Sequence, residues 1–289
     1  MKETREISAL LHLIDDPDEE VFSTVSERIV SYGKSIIPNL ESLWENTPEE
    51  TTQERIELLI HSLHFRDLKE SVVEWSKLET PELLQGALLI DRYQYPDISF
   101  NGITQELERM RRNIWLELNN YLTPLEQVNI INGILYNYYK LKGTEVAYQN
   151  PDEFFLHKVI ESKRGNAIST GILYAALCQL LDINVLPVNI PRQFILGYFD
   201  PNYDVLHSNT ANPAHRIQFF LDPMSGQVFT HKDVETYFKR ISVPPIPTYY
   251  KPLSPKRTVQ LLTEELAKCF ANQPYKQQEL AALAQLLGD

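Results

Sequence analysis

The stretch that begins at Asn166 most constrains the fold, because it is a helical segment with almost no polar face. Asn is a favoured N-cap residue. The apolar residues behind it occupy most of a helical circumference: Ile168, Ile172, Leu173, Ala176, Leu177, Leu180 and Leu181. Such a helix must be enclosed by the rest of a domain. Short apolar runs typical of β-strands follow at Val185–Ile190, 194–199 and Ile217–Leu221. The sequence therefore predicts a buried central helix followed by several strands.

Three segments in this region carry a family resemblance. They are 164–169 (RGNAIS), 188–194 (VNIPRQF) and 222–226 (DPMSG). On these segments the chain resembles the SirB-type transglutaminase-like family, which has a papain-type fold, and the resemblance covers residues 83–241. It implies a mainly helical α+β protein with a transglutaminase-like core, in which a small antiparallel sheet accompanies the central helix.

The resemblance also implies where a catalytic triad would stand. Active transglutaminase-like enzymes carry Cys in the first turn of the helix, His at the start of one strand and Asp at the end of the next. Those positions correspond here to Ala167, Gln193 and Asp222. Alanine cannot attack a carbonyl, and a Gln amide does not exchange protons near neutral pH. We therefore expect no catalytic residue at these vestigial positions and favour a degenerate, non-catalytic family member, with the enzymatic question left open.

Polar groups remain around the empty nucleophile position, and they predict a binding cleft. The predicted binding residues are Arg164, Asn166, Ser169, Asn189, Gln193 and Asp222. Their donors and acceptors suit recognition of an amide, so a peptide or protein partner is expected. An equally weighted interpretation is that these groups only tie loops to the helix start. No cofactor and no metal are expected.

A second class of function is a hydrolase or acyltransferase that uses a non-standard nucleophile at the same cleft. Ser169 could act with His207 or His215, which lie in a long polar segment at 200–216, or Asp222 could hold a water. The structural interpretation is that the histidines are solvated and that Ser169 satisfies backbone N–H groups.

The two cysteines do not replace the missing thiol. Cys178 lies eleven residues beyond Ala167 on the same helix, which places it about 16 Å deeper. Cys269 belongs to a separate C-terminal helix, and both are expected to be packing residues. His61, His64 and His157 are expected to be structural, and no GxGxxG, P-loop, HExxH or CxxC pattern occurs.

Composition and charge exclude several classes of partner. The 289 residues carry a net charge of −12, which argues against binding to nucleic acid or to anionic lipid. No apolar run reaches the length of a membrane span, and no basic-then-apolar leader is present. Two distant cysteines provide no disulfide framework. These features predict a soluble, acidic, cytoplasmic protein.

The N-terminal hundred residues predict helices instead of a catalytic site. Segments 16–19, 47–50 and 123–126 each have a cap residue at Asp16, Thr47 or Thr123, then Pro, and Glu three positions after the cap. Residues 15–44 combine a helix, a break at Gly33 and a second helix, as in HEAT-type pairs. A helical adaptor that acts through this region is therefore a third possible function.

We expect three regions along the chain. Residues 1–100 form HEAT-like helical pairs packed on the core. Residues 101–242 form the transglutaminase-like core with its leading helices. Residues 243–289 form a proline-rich connector and short C-terminal helices.

Overall fold

A computed structural model describes residues 2–200 and 213–288, and this part of the chain contains twelve α-helices and six short β-strands. The chain separates into two units, Met1–Glu74 and Trp75–Asp289. The predicted boundaries at residues 100 and 242 both fall inside the second unit, and the three-region division stays a prediction. The mainly helical α+β class is confirmed.

The first unit is built from helices around one apolar core. Its helices are α1 (Lys2–Leu11), α2 (Glu19–Ser31), α3 (Ile37–Asn46) and most of α4 (Glu50–Ser76). Helix α2 begins later than predicted, because Asp18 and not Asp16 is its N-cap and accepts the N–H of Glu20 at 2.9 Å. Gly33 adopts φ +68°, which breaks the chain between α2 and α3 as expected. The likeness to HEAT repeats stays a prediction.

The second unit holds the remaining helices and all the strands in the described chain. The helices are α5 (Leu83–Asp91), α6 (Phe100–Glu117), α7 (Pro124–Asn132), α8 (Leu156–Ser162), α9 (Ala167–Gln179), α10 (His231–Arg240), α11 (Pro255–Lys268) and α12 (Pro274–Gln285). The strands are β1 (Lys142–Gly143), β2 (Arg164–Gly165), β3 (Val185–Ile190), β4 (Gln193–Phe199), β5 (Ile217–Leu221) and β6 (Val228–Phe229). Strands β1 and β2 pair in parallel, whereas β3 to β6 form an antiparallel sheet in sequential order.

Helix α9 is the predicted central helix, and every residue from Ile168 to Cys178 is buried. It packs against β3 and β4 on one side and against α5, α8 and α11 on others. Gly171 permits the close approach to the sheet, because a Cβ atom there would lie 2.5 Å from Cε1 of Phe194. The absence of a polar face in the sequence is thus explained by neighbours on all sides.

The opposite face of the sheet is covered by α10. Ile195 of β4 and Phe220 of β5 pack with Val234 and Phe238 of α10 in one buried apolar cluster. Because side chains alternate along a strand, β4 sends one set of residues toward α9 and the other toward α10. The sheet therefore separates two environments.

A buried carboxylate joins α5 to α8. Asp91, the last residue of α5, accepts the N–H groups of Leu156 and His157 at 2.9 and 2.8 Å, and lies 2.9 Å from Nδ1 of His157. Burial raises the pKa of the Asp91 carboxyl, and the hydrogen bonds from His157 and Leu156 oppose that effect. Asp91 thus satisfies N–H groups of the first turn of α8 from a distant part of the sequence, and His157 has the structural role that the sequence predicted.

We expect Asp91→Ala to lower the free energy of unfolding by about 3 kcal/mol, because it leaves buried donors without an acceptor. Urea unfolding followed by circular dichroism measures the loss. Faster hydrogen exchange at the amides of Leu156 and His157 would locate it at α8. The control is Asp97→Ala, at an exposed loop position, which should change neither measurement. An unaltered exchange rate at both amides in Asp91→Ala would contradict the assignment.

Candidate functional site

The start of α9 is closed by a buried asparagine. Asn166 is fully buried, and its Oδ1 accepts the N–H groups of Ile168 and Ser169 at 3.0 and 3.1 Å. Its Nδ2 donates to the carbonyl of Glu153 at 3.2 Å. Both ends of the amide are therefore used inside the protein, and Asn166 is the N-cap that the sequence predicted.

Ser169 is occupied in the same way. Its Oγ donates to the carbonyl of Glu153 at 2.6 Å, and its residue surface is 1% exposed. The backbone of Gly165 lies so close that a Cβ atom there would be 2.7 Å from this oxygen. Among the described residues, the hydrogen-bond partners of the hydroxyl belong to Glu153 and Asn166 alone. The hydroxyl is thus placed to hold the helix start, and within residues 2–200 and 213–288 no imidazole forms a hydrogen bond with it.

The nucleophile position itself carries only a methyl group. Ala167 is the first residue of α9 and is half-buried, while Arg164 lies exposed on β2 just before it. The positive end of the helix dipole is present here, as in the active arrangement, but there is no thiol for it to act on.

Gln193 lies apart from the start of α9. It opens β4, pairs with Ile190, and is exposed. With Ile195 it lines a cavity bounded by α10, whereas the next residue, Phe194, packs against Gly171 of α9. Asn189 pairs with Phe194 and is exposed. The structure therefore brings Asn166 and Ser169 together but does not bring Gln193 to them.

Asp222 organises the turn that follows β5. Its carboxylate accepts the N–H of Met224 at 3.0 Å and the hydroxyl of Ser225 at 2.6 Å. The turn is anchored from outside, because the hydroxyl of Tyr136 donates to the carbonyl of Pro223 at 2.8 Å. Burial, together with the negative charge of Asp222, raises the pKa of Tyr136 well above its ordinary range. The carboxylate thus serves local structure.

The remaining candidates for chemistry lie elsewhere. Cys178 is fully buried, and burial raises the pKa of its thiol far above the ordinary value. Burial and the nearby Glu265 carboxylate raise the pKa of Cys269 to about 12. His215 lines a separate cavity beside α10, and His207 lies outside the described residues. Within the described chain, no group of three or more His, Cys, Asp or Glu side chains is arranged to hold a metal ion.

A groove between β4 and α10 is the feature that sequence reasoning missed. We call it the Gln193 groove, and it has a cavity volume of about 220 Å³. Its lining residues are Ile190, Gln193, Ile195, Phe229, Asp233, Val234, Thr236, Tyr237 and Arg240. Two patterns in the sequence could have indicated it. Side chains alternate along β4, which places Gln193 and Ile195 on one face, and α10 has the helical spacing of an amphipathic helix. Which residues of α10 would meet that face could not be read from the sequence.

A larger cavity of about 860 Å³ lies over α6 and α8, with Tyr95 and His157 in its lining. Its cationic side chains are already paired. Lys163 lies 3.0 Å from Glu106, and Lys158 lies 3.6 Å from Glu161. The charges that line this cavity are therefore largely satisfied by one another.

The central helix, the sheet against it and the turn at Asp222 define a transglutaminase-like core. The chain belongs to the transglutaminase-like superfamily, whose family model matches residues 101–264. Among curated proteins it is similar to YchA of Escherichia coli K12, with 22% identity over 184 residues, or 64% of each chain. It is also similar to SirB1 of Salmonella typhimurium, with 26% identity over 114 residues. The predicted SirB-type resemblance is confirmed.

A third relative is F-box only protein 21 of mouse, with 27% identity over 137 residues. The matched region is 64% of the length of YchA, 42% of SirB1 and 22% of the mouse protein. Of this chain, the match covers 39% for SirB1 and 40% for the mouse protein. No solved structure matches the chain significantly. Within the described residues, no helix combines the length and apolar character that crossing a membrane requires.

The separation of Gln193 from α9 can be tested with an introduced thiol. In a Cys269→Ser background, Ala167→Cys should give an alkylatable thiol at the helix start. Adding Gln193→His should change its pKa by less than about half a unit, because the new imidazole faces α10. The pH dependence of iodoacetamide labelling measures this pKa. A decrease of one unit or more on adding the histidine would show that position 193 reaches the start of α9.

Proposed function

We propose that this chain is a non-catalytic member of its superfamily that binds a peptide segment of a partner protein through the Gln193 groove. The observation that carries the proposal is that the polar groups at the start of α9 are already hydrogen-bonded within the protein. Asn166 and Ser169 bind one another and Glu153, whereas Gln193 faces an open groove. The occupied polar groups at the start of α9 support loss of the reaction, and the open Gln193 groove supports recognition of a ligand.

Acyl transfer needs a nucleophile, a base within hydrogen-bond reach and a group that orients the base. Ala167 supplies no nucleophile. Gln193 is not a base, and its side chain faces away from the start of α9. Ser169 is the alternative nucleophile, but its hydroxyl donates to the Glu153 carbonyl at 2.6 Å. Freeing it would leave a buried carbonyl oxygen with fewer donors, at a cost of about 1 to 3 kcal/mol.

The dimensions of the groove favour a side chain of a peptide over a free small molecule. Its cavity of about 220 Å³ is smaller than the roughly 300–1,000 Å³ typical of sites that enclose a drug-sized ligand. The floor is formed by apolar side chains, including Ile195 and Val234, which are 4% exposed each. At the rim, the Gln193 amide has no hydrogen-bond partner within residues 2–200 and 213–288. A primary amide both donates and accepts, so it can pair with a peptide backbone.

A synthetic library of fluorescein-labelled hexapeptides tests binding by fluorescence polarisation. We expect peptides with an apolar residue to bind the wild type. Gln193→Ala should lower their affinity about fivefold, because one lost hydrogen bond is worth about 1 kcal/mol. The matched control is Asn189→Ala, since Asn189 is exposed on the other face of the same hairpin. Equal weakening by both variants, or none by either, would count against the groove.

The enzymatic alternative has its own test. A screen of acyl substrates with amine and water acceptors should give no turnover above a blank reaction for the wild type. Ser169→Ala should instead lower the free energy of unfolding by about 1 to 2 kcal/mol, because it removes a buried hydrogen bond. Turnover by the wild type that Ser169→Ala abolishes would replace the proposal with a serine-dependent enzyme.

A further inference from the structure

Arg240 stands at one end of the Gln193 groove. It is the last residue of α10 and is exposed. Its guanidinium carbon lies over the ring of Tyr237, 5.3 Å from the ring centre. No carboxylate pairs with it within the described residues. Arg216 and Arg257, by contrast, lie 3.8 and 3.1 Å from carboxylate oxygens. An unpaired guanidinium in a chain of net charge −12 is a candidate binding group for an anion.

The ring beneath Arg240 is itself held in place. The hydroxyl of Tyr237 donates to the carbonyl of Pro191 at 2.8 Å, so the ring is tied to the hairpin that carries Gln193. A guanidinium that rests on a fixed aromatic face loses less freedom when it binds a ligand. Arg240 and the Gln193 amide are thereby presented on the same groove.

The electrostatic setting at this end of α10 favours a negative group. The end of a helix carries about half a negative charge, which alone would repel an anion. Arg240 lies in the last turn and provides a full positive charge at the groove, whereas Lys239 beside it lines a different cavity. The balance is therefore positive at the point where the groove meets Arg240.

The two ends of the groove differ in charge. Asp233 lies seven residues before Arg240 on the same helix, which separates their backbones by about 10 Å. An extended peptide covers that distance with about three residues. The carboxylate of Asp233 already accepts from Thr230 at 2.7 Å. An incoming negative group is thus directed to the Arg240 end, with the apolar floor beside it.

We propose that the occupant of the Gln193 groove is the free C-terminal end of a polypeptide whose last residue is apolar. This inference rests on the proposed function and specifies its ligand. The terminal carboxylate pairs with the Arg240 guanidinium, which can form two parallel hydrogen bonds with it. The last side chain enters the cavity over Ile195 and Val234, and the Gln193 amide pairs with a backbone amide of the ligand.

Labelled hexapeptides of Gly and Ser that end in Leu test this inference, each made with a free carboxylate and with a terminal amide. We expect the wild type to bind the free acid at least tenfold more tightly than the amide. Replacing the final Leu by Asp should weaken binding by at least the same factor. Arg240→Gln should remove the preference for the acid, while Lys239→Gln should keep it, because Lys239 lines a different cavity.

The outcomes separate the two proposals. Equal binding of acid and amide by the wild type, combined with weakening by Gln193→Ala, overturns the C-terminal inference and leaves the groove as a binding site. A preference for the acid that survives in Arg240→Gln overturns it as well. No binding of any peptide overturns both proposals. Circular dichroism of Arg240→Gln checks that this exposed substitution leaves the fold intact.

Discussion

The carbonyl oxygen of Glu153 is the point on which the core depends. It accepts hydrogen bonds from the Asn166 amide and from the Ser169 hydroxyl, both of which are buried at the start of α9. A helix enclosed on all sides cannot satisfy its first N–H groups with water, so side chains must do so. Two of the predicted cleft residues, Asn166 and Ser169, are therefore required by the position of the helix.

This constraint defines what the family scaffold requires at the start of α9. The catalytic arrangement needs a reactive group at the first turn of α9, but the fold needs only the cap and the bonds to Glu153. Ala167 begins the helix with a methyl group where an active relative would carry a thiol. The antiparallel sheet then separates α9 from α10, so that position 193 contributes to a different surface. The recognition that we propose for that surface imposes no demand on the start of α9.

Local signals in the sequence located several elements correctly. Thr123 forms the predicted capping box with Glu126, and Asn166 caps the predicted helix. At Asp16 the same signal failed, because Asp18 offers an equivalent side chain nearer the first turn of α2. The expected meeting of Gln193 with Asn166 also did not occur. It depended on which face of β4 the side chain takes, and the pairing of Ile190 with Gln193 places it away from α9.

The sequence by itself determined the buried helix, the strands after it, and the absence of a thiol and an imidazole at the triad positions. These follow from residue identity and periodicity, which act over a few neighbours along the chain. Only the tertiary structure decided that Asp91 caps α8, that Glu153 holds the start of α9, and that Arg240 and Gln193 share one groove. Each of these unites residues far apart in sequence, and their approach depends on how helices and sheet pack.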